Sequence, residues 1–164
     1  MPGPGADAHR RRLVEASELP RAGKQNPLLE SVRQSTLAAY SVSRQIEAVA
    51  QSGASPEADG YPHFTLARQF HTVAQLIRAD VGIRIYFTDP SGGGIGGFDN
   101  HANQLGNHGA LLYELSESVA AFVDDLRRDG LLDRVALMAF SEFGRTLVEN
   151  GRRGTDHGEA ARIA

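Results

Sequence analysis

An α/β fold, a layered α/β/α sandwich on a mostly parallel sheet, is what this sequence predicts. Three observations carry the prediction. Apolar residues at helical spacing alternate with short strand-like runs in the order helix, helix, strand, helix, strand. Residues 135–140, VALMAF, are apolar at every position, as in a strand covered on both faces. Each of the two strand-like runs gives way to a loop dense in polar residues, and in open α/β sheets ligands bind beyond the carboxyl ends of the strands.

The elements follow in order. Residues 1–27 hold four of the seven prolines and little periodic pattern, so they are read as an irregular N-terminal segment ahead of a domain at 28–164. From 28 to 51, Leu29, Val32, Leu37, Tyr40, Ile46 and Val49 keep an approximate helical spacing. The stretch QSGASPEADGYP is a turn-rich break. A second helix is marked by Leu66, Phe70, Val73 and Ile77, at intervals of four, three and four. Residues 81–89, VGIRIYFTD, form a β-branched and aromatic run read as a strand that ends in the cluster SGGGIGG. That cluster lacks the Lys-Ser/Thr of a phosphate-cradling loop. Asn107 can cap a third helix over 108–129, with Leu111, Leu115, Val119, Phe122 and Leu126 on its core face and Gly130 as its stop. Residues 135–140 then form a second strand.

Composition narrows the partners. Lys and Arg number 17 against 20 Asp and Glu, and a net charge of -3 offers no broad basic field, so no nucleic acid is expected. The chain has no Cys, which excludes disulfides and thiolate metal sites; a metal would sit on His, Asp, Glu or Asn. No apolar run approaches the roughly 20 residues of a membrane span. The start, MPGPGADAHRRRLVEASELP, has arginines but no apolar core behind them and does not read as a cleavable export signal.

The residues able to do chemistry fall in three places: GGFDNHANQ after the first strand, SEFGRT after the second, and GTDHG soon afterwards. Parallel neighbouring strands would bring these loops to one edge, gathering Asp99, His101, Glu142, Asp156 and His157. Such a set suits a divalent ion, zinc or manganese, since imidazole and carboxylate both serve those ions. Each residue also has a plain alternative. Asp99 before Asn100 can be a turn former, Asp156-His157 between glycines a polar tight turn, and Glu142 a cap or an ion-pair partner of Arg145. Arg145 is the candidate catalytic residue, a guanidinium able to orient an anionic ester, or else an ion-pair partner of Glu142 or Glu149. His63, His71 and His108 are read as packed or solvated helix residues. No nucleophile stands out; Thr155 and Ser141 are near in sequence but serve equally as cap or turn residues.

Taken together, GGFDNHANQ, the stretch LLYELSESVAAFVDDLRRDGLLDRVALMAFSEFGRT and ENGRRGTDHG resemble the bacterial family called domain of unknown function 1501, over about residues 64–160. The resemblance implies kinship with the alkaline phosphatase and sulfatase superfamily, hence a layered α/β domain with a metal centre at the strand ends. Where sulfatase-like enzymes carry Ser-Asp-His-Gly after a strand, this chain has Ser141-Glu142-Phe143-Gly144. The superfamily's early strand with its metal-binding Asp and nucleophile is not recognisable, so the domain is expected to be incomplete: a fragment of a longer protein, a truncated gene model or a variant missing its outer strands. The implied activity is metal-dependent hydrolysis of small phosphate or sulfate esters, in the periplasm or outside the cell. The alternative is a non-catalytic metal-binding or structural remnant.

Overall fold

The computed structural model describes residues 8, 11, 12, 14, 15, 26–90, 97–158 and 160. The expectation of an irregular segment at 1–27 and the glycine cluster at 91–96 lie largely outside them. The chain divides into two units, Met1–Gln51 and Ser52–Ala164.

The first unit is represented by α1, Pro27–Ser52. Proline suits the first helical position because its missing N–H would be unsatisfied there in any case. The Asn26 side chain accepts the Leu28 N–H at 3.0 Å, and Glu30 in the first turn binds Arg33 and Gln34 one turn on. Leu28, Leu29 and Val32 nevertheless stay exposed.

The second unit is built on two helices, α2 at Thr65–Arg78 and α3 at Gln104–Arg128. Their apolar stripes meet in a core of Tyr61, Leu66, Ala67, Phe70, Ala74, Phe122 and Leu126, at whose centre the rings of Phe70 and Phe122 stack 4.9 Å apart. Ala67 and Ala74 are fully buried, and small side chains at these places let the helices approach closely. The C-terminus of α3 closes as its sequence predicts. Gly130 takes a positive φ of 67°, its N–H bonds the Arg127 carbonyl, and the Leu131 N–H reaches back to Leu126. This left-handed cap satisfies carbonyls that the last turn would otherwise leave open, and only glycine adopts it without strain. The N-terminus of α3 lies earlier than the Asn107 cap implies. Asn103 and Gln104 donate their N–H groups to the carbonyls of Arg152 and Arg153, so distant backbone, not a side-chain cap, satisfies the start of the helix.

A polar network fastens the turn before α2 to both helices. Asp125 is almost wholly buried, yet accepts hydrogen bonds from Tyr61 Oη at 2.8 Å, from Arg128 at 2.7 Å and from Arg78. Burial alone would raise its carboxyl; the bonds from Arg128, Tyr61 and Arg78 outweigh that and hold it below the usual carboxylate range. Burial and the neighbouring Asp125 push the Tyr61 phenol far up, so it stays a donor. His71, also buried, meets Asp59 at 2.7 Å and packs edge-on against Tyr61. It is a packed helix residue, whereas His63 is exposed beside Glu57.

The layered α/β/α sandwich is corrected by this structure: the described residues are mostly helical, and their sheet is a two-stranded antiparallel ladder. It pairs β1, Gly144–Arg145, with β2, His157–Gly158, in the register Gly144↔Gly158 and Arg145↔His157. Neither expected strand, 81–89 or 135–140, joins a ladder among the described residues. An apolar run shows that a segment can be a buried strand, but the ladder itself needs a neighbour with free N–H and C=O groups, which periodicity does not reveal. Here Ile85, Phe87, Met138 and Phe140 are exposed instead, and the rings of Phe87 and Phe140 meet 5.9 Å apart. No helix among the described residues is long and apolar enough to cross a membrane.

Candidate metal centre

Three short segments converge without the sheet that the sequence led one to expect. They are the loop at 97–103 leading into α3, the ladder residues of β1 and β2, and the turn at 150–156. The convergence is fixed by backbone contacts. Beyond the two bonds that start α3, Asn150 turns the chain sharply: its Oδ1 accepts the N–H groups of Arg152 and Gly154, and its own N–H bonds the Gly154 carbonyl at 2.8 Å. Arg145 sits behind the site as a strut. One guanidinium nitrogen donates to the carbonyls of Asn100 and Thr155 at 3.1 and 2.7 Å; the other donates to the Phe98 carbonyl at 3.2 Å and pairs with Asp99. The side chain is only 18% exposed, so its planar fork is directed at the loop.

On this frame Asp99 Oδ1 lies 2.9 Å from His101 Nε2 and 3.0 Å from His157 Nε2. Among the described residues, Asp99, His101 and His157 are the group whose ligand atoms fall within 4.8 Å of one another. The donor set is compatible with one. Ligand atoms at about 2.0–2.1 Å from zinc stand roughly 3.3 Å apart in a tetrahedral site, close to the two separations found here. His101 has a second carboxylate neighbour. Its Nδ1 faces Asp156 Oδ1 at 3.1 Å, so carboxylate oxygens flank both ring nitrogens. A neutral imidazole has one N–H to give, and the second edge is completed by another proton or by a metal cation. Phe143 stacks on the His157 ring, centroids 3.8 Å apart, and sets the plane in which that imidazole lies.

Each expected site residue can now be placed. Asp99, His101 and His157 come together. Asp156 does not join their ligand atoms; it lies on the far side of His101 and also touches Asn150 and Arg152. Glu142 is exposed next to the ladder and outside the group. Arg145 holds Asp99. The hydrogen bond from His157, aided by the charges of His101 and Arg145, keeps the Asp99 carboxyl below its ordinary range; bonds from His101 and Asn150 do the same for Asp156. Sequence reasoning missed Asn150 and Phe143. The Asn150-Gly151 pair marks a turn, but nothing local shows that its Nδ2 reaches the His101 carbonyl and Asp156, each at 3.1 Å.

Gly154 is the closest approach in the site. It is buried, and a Cβ there would fall 2.4 Å from the His101 carbonyl carbon and 2.6 Å from the Ala102 nitrogen. Gly154→Ala is expected to push the 97–103 loop off the 150–156 turn at a cost of about 1–3 kcal/mol. Thermal unfolding gives the loss, and displaced His101 and His157 ring resonances report the opened site. An unchanged melting temperature with unmoved histidine signals would contradict the close packing.

The family model described as "Protein of unknown function (DUF1501)" matches residues 8–164, and the chain belongs to that family. No curated protein and no solved structure matches the chain.

Proposed function

We propose that this chain carries the metal centre of a hydrolase of the alkaline phosphatase and sulfatase type, acting on phosphate or sulfate esters with a divalent ion, zinc or manganese. The observation that carries the reading is the meeting of Asp99, His101 and His157 around one point. One carboxylate and two imidazoles are a three-ligand set, which is the pattern of catalytic zinc sites; closed structural sites use four. When bound, such an ion polarises an ester oxygen and makes an attacking water more acidic. The chain's own residues do the rest: Arg145 fixes Asp99, Phe143 orients His157, and the Asn150 turn holds His101 in place. Kinship with the superfamily is part of this proposal and rests on the family resemblance; at the superfamily's Ser-Asp-His-Gly this chain departs, with Glu142 in place of Asp and Phe143 in place of His.

One observation favours the alternative, a non-catalytic metal-binding module. The two hydroxyls considered as nucleophiles are engaged elsewhere: Thr155 Oγ1 donates to Gln104 at 2.7 Å and Ser141 Oγ to the Phe143 carbonyl at 2.8 Å. The two readings separate in an assay of the metal-loaded chain with p-nitrophenyl phosphate and p-nitrophenyl sulfate. Turnover that chelation abolishes supports the hydrolase. Stoichiometric metal without turnover of either ester assigns the binding module.

A further inference from the structure

We infer that Asp156 is a positioning residue and not a ligand: it accepts the Nδ1–H of His101 and so presents Nε2 of that ring to the ion. The inference rests on the metal reading above, and four contacts carry it. Asp156 Oδ1 lies 3.1 Å from His101 Nδ1, while the opposite ring nitrogen faces Asp99 at 2.9 Å. The same oxygen of Asp156 accepts from Asn150 Nδ2 at 3.1 Å, and that amide's other contact is the His101 carbonyl, again at 3.1 Å. Asn150 thus ties the carboxylate and the histidine backbone into one unit, and Arg152 adds a more distant positive charge at 3.7 Å.

The chemistry follows from the imidazole. A ring that binds metal through one nitrogen must carry its proton on the other, and a carboxylate accepting that proton fixes the tautomer, locks the rotation of the ring and makes the ligand nitrogen more basic. Asp156 immediately precedes β2, and successive residues of extended chain send their side chains to opposite sides. His157 therefore reaches Asp99 while Asp156 reaches the rear of His101. Adjacent in sequence, they act on two different sides of the centre.

The test uses the full chain with zinc alone. Affinity is measured by competition with a chromophoric chelator in the parent, Asp156→Ala and Asp156→Asn, and 15N spectra of the zinc-loaded proteins report which nitrogen of His101 is protonated. The expected parent binds zinc stoichiometrically with His101 protonated at Nδ1. Asp156→Ala keeps the stoichiometry but binds about 10–100-fold more weakly, the usual effect of removing such an acceptor. Asp156→Asn, which retains an acceptor oxygen and the shape, recovers most of the loss. Loss of stoichiometric binding in a folded Asp156→Ala chain would make Asp156 a ligand and overturn the inference, as would unchanged affinity and an unchanged tautomer. A parent that binds no zinc would remove the metal reading itself and this inference with it, a result distinct from failure of Asp156 alone.

Discussion

Asp125→Ala is expected to cost the second unit about 3 kcal/mol and to lower its melting temperature by ~10 °C. The carboxylate is buried between α2 and α3, and three donors converge on it: Arg78 from one helix, Arg128 from its own, and Tyr61 from the turn before α2. Removing it takes the acceptor from the buried Tyr61 phenol and the shared carboxylate from two guanidiniums, of which Arg78 keeps Asp129 and Arg128 keeps the Asp59 carbonyl. Breaking a buried ion pair costs about 3–5 kcal/mol, and the lower end applies because Arg78 and Arg128 both reach water and keep these second partners. Asp125→Asn keeps an acceptor oxygen but loses the charge, and should fall between parent and Ala. The sign of the pH dependence is fixed by the depressed carboxyl. Its stabilising contribution is fully present above the unfolded value, near pH 3.9, and is lost as pH falls through the folded value below it. Parent and Asn variant should therefore differ at neutral pH and begin to converge as pH falls below about 4. Denaturant unfolding of both proteins between pH 3 and 7 measures the difference; curves parallel across that range would show that folding does not lower the Asp125 carboxyl.

The pattern that identified α2 and α3 was legible because it is local. Leu66 and Phe70 on one helix, Leu111, Phe122 and Leu126 on the other, recur at helical spacing whatever lies elsewhere, and all five are buried. The Gly130 stop was legible for the same reason. The strands were not, because a strand is a relation between segments. VALMAF has the composition of a buried strand, yet among the described residues nothing pairs with it, and Leu137, Met138 and Phe140 stand exposed. The start of α3 was misjudged on similar grounds: the carbonyls that cap it belong to Arg152 and Arg153, about fifty residues on. In the site, the residue types and the loops were readable and their partners were not. Asp99, His101 and His157 could be named from their chemistry. The role of Asn150 depends on a turn folding back onto His101, a contact across 49 positions.

His157→Ala and His101→Ala should each abolish stoichiometric zinc binding, the largest functional effect expected anywhere in the chain. Three protein ligands are the fewest that catalytic zinc sites ordinarily employ, so each deletion takes the site below that number. The loss should exceed the roughly 10–100-fold that follows from removing a group that merely orients a ligand. Asp99→Asn is the informative third variant. It keeps the shape and an oxygen, but gives up the negative charge that His101, His157 and Arg145 all face, leaving Arg145 beside two imidazoles with no carboxylate between them. Cation binding there would then work against an uncompensated guanidinium, so affinity should fall as far as in the histidine variants even though the side chain is isosteric. Inductively coupled plasma mass spectrometry on purified parent and variants gives the stoichiometry, and thermal unfolding confirms that each chain is folded. Since Asp99, His101 and His157 are partly or fully exposed, their substitution should leave the Phe70–Phe122 core and the melting temperature of the metal-free chain nearly unchanged. Metal retained at parental stoichiometry in both histidine variants would mean that the ion, if bound, sits elsewhere, and that the imidazoles pair with Asp99 as ordinary surface contacts.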